Sequence, residues 1–351
     1  MANENLHHAN KAKNDEFYTQ LVDIEKELKH YKEQFKDKVV FCNCDDPRVS
    51  NFFFFFYANF HALGLKQLIA TCSKNLNPDL FSQNKDEQAV YCIYDGKDRV
   101  DDIIENREKF IKQNKWEILK GDGDFRSKEC IELLKQADIV VTNPPFSMFR
   151  EFVAQLVAYD KKFLIIGNDN CRTYKDIFKF IKENKLWCGY NHVKEFLQPG
   201  GIIKKFGNIS WYTNLDVKKR HEDLILCKKY NPEEYTKYEN YDAINIDKTS
   251  DIPMDYAGCM GVPITFIDIF NPEQFEILGL GISNSGIEIG VKPYKAEHKK
   301  YRKEVQKRGA VDGDLYLIKN GIVEVPYARI IIKTQIKHDK RLFRHSADYR
   351  K

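Results

Sequence analysis

What this chain of 351 residues lacks narrows its class first. No apolar run approaches the ~20 residues that a helical membrane span requires, so no membrane partner is expected. The opening MANENLHHANKAKNDEF has no apolar core of the secretory kind, and a cytoplasmic location is expected. The nine cysteines (42, 44, 72, 92, 130, 171, 188, 227 and 259) are odd in number and scattered. Several lie in strand-like runs, which suits free thiols in a reducing compartment rather than a disulfide framework. Cys42 and Cys44 have no second Cys or His pair at zinc spacing, so buried thiols and no metal are expected. No internal repeat is present.

What is present is enough for a full core. At 42% hydrophobic content the length suits two domains. The net charge is only +4, but it is unevenly spread. Residues 292–351 hold 17 basic and 7 acidic side chains, a net of +10, which leaves the preceding 291 residues at −6. A basic end on an acidic body points to a polyanionic partner, and equally to a lysine-rich solvated face.

Periodicity organises the rest. Leu21, Ile24, Leu28, Tyr31 and Phe35 mark an amphipathic helix, and KVVFCN (38–43) reads as the first buried strand. NFFFFFYANF opens the next helix, with its phenylalanines as helix core, and LKQLIATC (65–72) follows as a strand. Loops with a short strand near AVYCIY come next, then WEILKGDGDF (116–125), a strand running into a turn. IELLKQ, KFLIIGN (162–168) and TYKDIFKFIKEN continue the alternation, with LWCGY and SWYTNL as the last strands. This predicts an α/β fold, a doubly wound Rossmann-like parallel sheet over residues 15–230 behind a flexible arm, 1–14. A smaller mixed domain is expected over 231–351. There NPEQFEILGL carries helix-start signals, with Asn271 as N-cap, Pro272 in the first turn and Gln274 completing a capping box. DLYLIKNGIVEVPYARIIIK reads as a hairpin turned at Asn320-Gly321.

The stretch with the most chemical content is ADIVVTNPPFSMFR (137–150). Ile139, Val140 and Val141 form a short buried strand, and Pro144-Pro145 stop it because neither has an N–H. Phe149, Phe152, Val153, Leu156 and Val157 recur at helical spacing beyond it. The motif therefore lies at the carboxyl end of a parallel strand, where open α/β sheets bind ligands. Taken alone, the lesser alternative is a rigid loop that merely ends a strand.

The residue types suit one task. An exocyclic amine on a base is a poor nucleophile because its lone pair is delocalised into the ring. Acceptors on both hydrogens localise that pair. Asn143 offers an amide oxygen and Pro144 a backbone carbonyl, neither charged. Pro145 stiffens the turn, so the acceptors are preorganised. Phe146 offers a face on which a base displaced from its duplex can stack.

An Asn-Pro-Pro-aromatic run at a strand end resembles motif IV of S-adenosylmethionine-dependent amino-methyltransferases. Together with NDEFYTQ (14–20), CNCDDPRVSNFF (42–53), GDGDFRS (121–127) and PITFIDIFNPEQFE, it is similar in order and spacing to the EcoRI-type adenine-specific modification methylases. The resemblance covers roughly residues 11–280 and thins over the basic end. Individually these pieces are ordinary: FYT is an aromatic patch and GDGDF a good turn. Their specificity lies in the order.

The resemblance implies S-adenosylmethionine as cofactor. Phe17, Tyr18 and Thr19 then close over its methionine end, which the first strand turn, with Asn43, Cys44, Asp45 and Pro47, also faces. Asp124 accepts from the cofactor's adenine amine and the backbone at Phe125 reads its ring edge. Asp122 is the alternative to Asp124, because the DGD repeat leaves the register open. Two features depart from the pattern. The first turn has no glycine, so close backbone approach must be arranged otherwise, for instance by an Asp46-Pro47 turn. The second strand ends in Thr71, Cys72 and Ser73 instead of an acidic residue. Either a hydroxyl holds the ribose or the strand register lies elsewhere.

The expected function is site-specific methylation of an adenine amine in double-stranded DNA. A monomer is expected, with a cognate restriction endonuclease as a genetic partner. Lys292–Arg308 and Lys333–Lys351 are expected on phosphates. The chain order, with cofactor motifs before the catalytic motif and recognition last, matches the family's γ arrangement. Alternatives are a methyltransferase of an RNA base amine or a protein glutamine, and a nucleic-acid binder that keeps the fold without catalysis.

Overall fold

The computed structural model describes residues 18–74, 88–97, 110, 111, 113, 116–197 and 203–335. The chain divides into two compact units, Met1–Cys171 with Lys185–Asp216, and Arg172–Asn184 with Val217–Lys351. Among the described residues no helix is long and apolar enough to cross a membrane. All nine cysteines are free thiols.

In the first unit the elements run β1 (Tyr18–Thr19), α1 (Leu21–Leu28), β2 (Val39–Asn43), α2 (Asn51–Ala58), β3 (Gln67–Cys72), β4 (Val90–Tyr94), β5 (Glu117–Ile118), α3 (Lys128–Gln136), β6 (Ile139–Thr142), α4 (Phe149–Ala158) and β7 (Lys162–Asn168). The unit closes with β8 (Trp187–His192), β9 (Glu195–Leu197), β10 (Ile203–Lys205) and β11 (Ile209–Thr213). Eight strands form one sheet in the order β5-β4-β3-β2-β6-β7-β11-β8. The four in the middle are parallel, with Val40 opposite both Leu68 and Ile139, and Val141 opposite Leu164. Every residue of β2 and β6 is buried, which is why these strands read as continuous apolar runs rather than alternating ones.

The α/β expectation is borne out, with one refinement. β4 and β11 run antiparallel to their neighbours on either flank, so the sheet is mixed. On one flank β8 and β11 are joined by the β9–β10 excursion rather than by a crossover helix, and antiparallel neighbours need no crossover. β9 pairs with both β10 and β1 in a separate three-stranded sheet, where Thr19 faces Phe196.

α2 is the phenylalanine run. Ser50 caps it by accepting from the N–H groups of Phe52 and Phe53, and Phe52 through Tyr57 are all buried. A helix apolar on every side belongs inside a core. Phe53 meets Phe110 at 5.0 Å, Phe56 meets Phe35 at 5.2 Å, and Phe52 meets Trp211 at 5.8 Å. The run is packing, as the sequence suggests. α1 is tied to β8 by Glu27, which is fully buried and accepts from the N–H groups of Tyr190 and Asn191, both at 2.8 Å.

The second unit contains α5 (Lys175–Lys182), β12 (Ala243–Asn245), β13 (Cys259–Pro263), β14 (Phe275–Gly281), α6 (Ser283–Glu288), α7 (Ala296–Glu304), β15 (Leu317–Lys319), β16 (Ile322–Glu324) and β17 (Arg329–Thr334). Its sheet has the order β12-β13-β17-β14, and α5 buries Ile177, Phe178 and Ile181. The hairpin turned at Asn320-Gly321 forms as expected between β15 and β16, with φ of 52° and 76° as a type I′ turn needs.

The helix start read at Asn271 is corrected. Only one turn forms, with Phe275 N–H donating to the Asn271 carbonyl, and the chain then becomes β14. The Asn271 side chain accepts from Glu273 N–H in an Asx turn. Gln274, instead of closing a capping box, exchanges hydrogen bonds with the Leu224 backbone. Burying Phe275, Ile277 and Gly279–Gly281 in a sheet overrides the local helix signals.

Candidate active site

β2, β3 and β6 point the same way, so Asn43, Thr71 and Thr142 come out on one edge of the sheet. There the two prolines end β6, and Met148 N–H donates to the Pro145 carbonyl in a short turn that leads into α4. The Asn143 side-chain oxygen is buried, Pro144 is buried, and Pro145 and Phe146 are half-buried. The Phe146 ring stands edge-on to Phe196 of β9 at 6.2 Å. Through β9 the motif therefore adjoins the small sheet that holds Tyr18 and Thr19. Gly167 on β7 explains how closely α4 begins: a Cβ there would lie 2.5 Å from the Phe149 ring.

The β2 turn is built around a buried acid. Asp45 is only 7% exposed. Its carboxylate accepts from Ser50 Oγ at 2.6 Å, from Thr142 Oγ1 at 2.5 Å and from the Asn143 N–H. Burial pushes this carboxyl up to about 6, against the pull of those three donors, and Asp46 adds a smaller upward push. Asp46 is itself held by Arg48 at 2.6 Å. Pro47 is buried in that turn, where the N–H groups of Val49 and Ser50 donate to the Asp46 carbonyl.

The missing glycine has a definite replacement. Cys44 takes a φ of 115°, a left-handed conformation that favours glycine. The N–H groups of Cys44 and Asp45 both donate to the Thr71 carbonyl, at 3.3 and 2.9 Å, which holds it there. Cys44 thus takes the glycine-type conformation, and the Asp46-Pro47 turn leads into Ser50, the N-cap of α2. Burial pushes the Cys44 thiol up, with Asp45, Cys130 and Asp124 adding to it, so these groups are neighbours.

GDGDF lies against the end of β3. Gly123 has a φ of 73°, and a Cβ there would sit 2.6 Å from the Cys72 carbonyl and 2.8 Å from Ser73 Cα. Lys74 N–H donates to the Asp122 carbonyl at 2.6 Å. Asp122 is exposed, and its Oδ1 accepts from Asp124 N–H at 3.0 Å. Asp124 is half-buried, and both its oxygens accept from the Arg126 guanidinium, at 2.9 and 2.7 Å. That pairing holds its carboxyl below the usual range. Phe125 is buried edge-on to Phe152, and its carbonyl accepts from Gln155.

The ribose question narrows. The Thr71 hydroxyl donates to Asn43 Oδ1 at 3.1 Å and also bonds the Cys130 side chain, so it is engaged within the protein. Among the described residues Asn43 Nδ2 is buried without a partner, as is Thr19 Oγ1, while the Thr19 carbonyl accepts from Asn51 Nδ2 at 2.8 Å. Phe17 and the side chain of Tyr18 lie outside the described residues. Among the described residues, no three His, Cys, Asp or Glu side chains gather as a metal site requires.

Sequence reasoning did not single out Ser50, Thr142, Asn51 or Arg126. For Ser50 a signal existed, as a capping residue just ahead of an apolar run. For Thr142 the only hint was its place beside Asn143.

In the second unit the basic segment is partly self-neutralised. Lys295 pairs with Glu239 at 2.7 Å, Lys299 with Asp312 at 3.1 Å and Lys300 with Glu304 at 3.9 Å. Lys292, Lys303, Lys307 and Arg308 are exposed and make no ion pair among the described residues. Of the second basic stretch, residues 336–351 lie outside the described residues.

Comparison with known proteins agrees with the resemblance read from the motifs. A sequence model described as adenine-specific methyltransferase EcoRI matches residues 5–335, a wider span than the motifs alone marked. Type II methyltransferase M.EcoRI of Escherichia coli is 50% identical over 318 residues, covering 83% of this chain and 94% of that protein. Type II methyltransferase M.MgeORF184P of Mycoplasma genitalium is 41% identical over 299 residues, covering 78% and 86%. Type II methyltransferase M.MpnI of Mycoplasma pneumoniae is 40% identical over 291 residues, covering 77% and 83%. No solved structure matches.

Proposed function

This chain belongs to the adenine-specific methyltransferase EcoRI family, and on that premise we propose that it methylates the exocyclic amine of one adenine within a short sequence of duplex DNA. The observation that carries this reading is the meeting, on one sheet edge, of Asn143 with the Asn43–Asp45 turn through a shared buried carboxylate.

The cofactor of this reading is S-adenosylmethionine, which when bound supplies a methyl group activated on a sulfonium. Its fit can be judged from the groups present. Asn43 Nδ2 and Thr19 Oγ1 are buried polar atoms without partners among the described residues, and the arginines of these turns, Arg48 and Arg126, are paired with acids. An edge with polar atoms to satisfy and its arginines paired suits a cofactor without phosphates. Asn43, Cys44 and Pro47 form the wall towards its methionine end, with the buried Asp45 behind it and Phe17, Tyr18 and Thr19 closing over it. Phe125 offers backbone to its adenine ring. Asp124 already gives both oxygens to Arg126, which favours Asp122 for the amine of that ring.

The chain's own part in the chemistry is positioning. The target base leaves the duplex and stacks on Phe146. The Asn143 amide oxygen and the Pro144 carbonyl accept the two amine hydrogens, so the nitrogen lone pair is localised and aimed for in-line attack. Pro145 keeps that pair of acceptors rigid. Residues from 231 onward read the sequence, with the unpaired cations of the basic segment on phosphates. Action as a monomer in the cytoplasm, beside a cognate restriction endonuclease, completes the reading.

Asn143→Ala is the direct test. Loss of one preorganised acceptor should lower kcat by about 10²–10³-fold, with S-adenosylmethionine affinity nearly unchanged. Unchanged turnover would refute the role. Sequencing that detects methylated adenine in host DNA after expression gives the activity and the target site together.

A further inference from the structure

We propose that Asp45 is a positioning residue for methyl transfer, holding the Asn143 loop in register with the β2 turn rather than contacting the cofactor. The inference rests on the reading of Asn143 as the group that polarises the amine. Three elements meet at this carboxylate. It is itself the first acid after β2, Ser50 is the N-cap of α2, and Thr142 and Asn143 end β6. The directions of the bonds are consistent. Ser50 Oγ accepts from the N–H groups of Phe52 and Phe53, so its own hydrogen goes to Asp45. Thr142 Oγ1 lies 3.1 Å from the Asn43 carbonyl and 2.5 Å from Asp45. With the Asn143 N–H the ionised carboxylate accepts three bonds, and 7% exposure leaves little of it to face a ligand. A shift of the Asn143 backbone would carry the amide oxygen with it.

The charge on Asp45 then matters to turnover. The ionisable groups around it are Asp46, paired with Arg48, and the thiols of Cys42 and Cys44, which burial keeps neutral. α2 and β6 contribute only Ser50, Thr142 and Asn143, none of them ionisable in this range. A proton on Asp45 has to be donated to a neighbouring oxygen, which reverses one of the three bonds and weakens the acceptor facing Asn143. With the carboxyl pushed up to about 6, kcat should fall as pH drops through that value. Stability moves the other way. A folded-state value above the ordinary 3.8 means the native protein binds the proton more tightly than the unfolded chain. The associated stability is present at low pH and lost as pH rises through about 6. Activity lost near pH 6 is therefore not unfolding caused by Asp45.

The experiment uses the full chain, S-adenosylmethionine and DNA lacking adenine methylation. It measures kcat, KM and cofactor affinity for wild type, Asp45→Asn and Thr142→Val across pH 5–8. Both variants should lose about 10- to 100-fold in kcat, as a misplaced reacting group does. KM for S-adenosylmethionine should stay within about twofold, the signature of an interaction that acts on turnover and not on uniform binding. The acid limb near pH 6 should be absent from Asp45→Asn. If cofactor affinity collapses while kcat is kept, Asp45 is a cofactor ligand and the proposal is overturned. If kcat is unchanged, there is no positioning role, although wild-type methylation would leave the reading of Asn143 standing. Should Asp45→Asn fail to fold, Thr142→Val decides alone, since it removes one bond and keeps a β-branched side chain. If wild type methylates no adenine, the underlying reading falls and the inference with it.

Discussion

Replacing Cys44 by glycine and, separately, by alanine should reverse the usual order of stability. At an ordinary φ the alanine variant is the more stable, by about 0.4–1 kcal/mol, because glycine has more freedom to lose on folding. Cys44 has a φ of 115°. A residue with a Cβ held in so sparsely populated a region costs about 1–3 kcal/mol, which glycine escapes. Both variants lose the same thiol, so the packing loss cancels in the comparison. Strain relief less the entropy penalty leaves glycine ahead by roughly 0.5–2 kcal/mol. For a folding unit of this size that is a Tm higher by about 2–6 °C. The assay is thermal unfolding of the two variants, purified side by side, with urea midpoints as a second measure. Alanine equal to or more stable than glycine would refute the idea that this turn stores strain where other methyltransferases place glycine. Cofactor affinity should be kept in the glycine variant, since the Thr71 carbonyl still receives the N–H groups of residues 44 and 45.

Two further outcomes are expected. Glu27→Ala should cost about 2–4 kcal/mol, read from urea unfolding, because it strands the half-buried N–H groups of Tyr190 and Asn191 and the buried Tyr31 hydroxyl. Changing Lys292, Lys303, Lys307 and Arg308 together to Ala should reduce the slope of log affinity against log salt by about 0.9 for each phosphate that is no longer neutralised. Changing Lys295, Lys299 and Lys300, which are paired with acids, should move it less. Equal slopes would mean that the unpaired cations are only a solvated face.

The elements that could be read from the chain are those whose signal is local. Pro144 and Pro145 stop a strand wherever they occur, and Ile139–Thr142 is buried on both sides, so the Asn143–Phe146 loop and its strand end were legible. The phenylalanine run was legible as core for the same reason. The Asn320-Gly321 hairpin was legible because its turn demands positive φ at both positions. At Asn271 the local signals were equally good, but they lost to a partner strand. Gln274 spends its amide on Leu224, 50 residues away, and β17 pairs with the segment that would have been helix. Counting charges does not show which of them pair in space, as Lys295 does with Glu239 from outside the counted segment.

The active-site turn shows most clearly where such reading stops. A missing glycine is visible in CNCDDP, but φ is not written in a residue's identity, and cysteine gives no sign of carrying a left-handed backbone. Nor does an aspartate announce that its partner is a threonine 97 residues later. Both features break a local rule: one is a strained non-glycine turn, the other an acid buried among hydroxyl and N–H donors. Such breaks are tolerated where the surrounding structure fixes them and function requires them. Here the two breaks are adjacent in sequence. The Thr71 carbonyl holds the N–H groups of both residues, and the acid's carboxylate reaches the N–H of Asn143. The departure from the glycine pattern is therefore better understood as the start of a link between the β2 turn and the Asn143 loop than as a defect. A glycine at 44 would relieve the strain and keep that link, so strain and positioning are separable. The Cys44 and Asp45 variants should then have different consequences, stability for the first and turnover for the second.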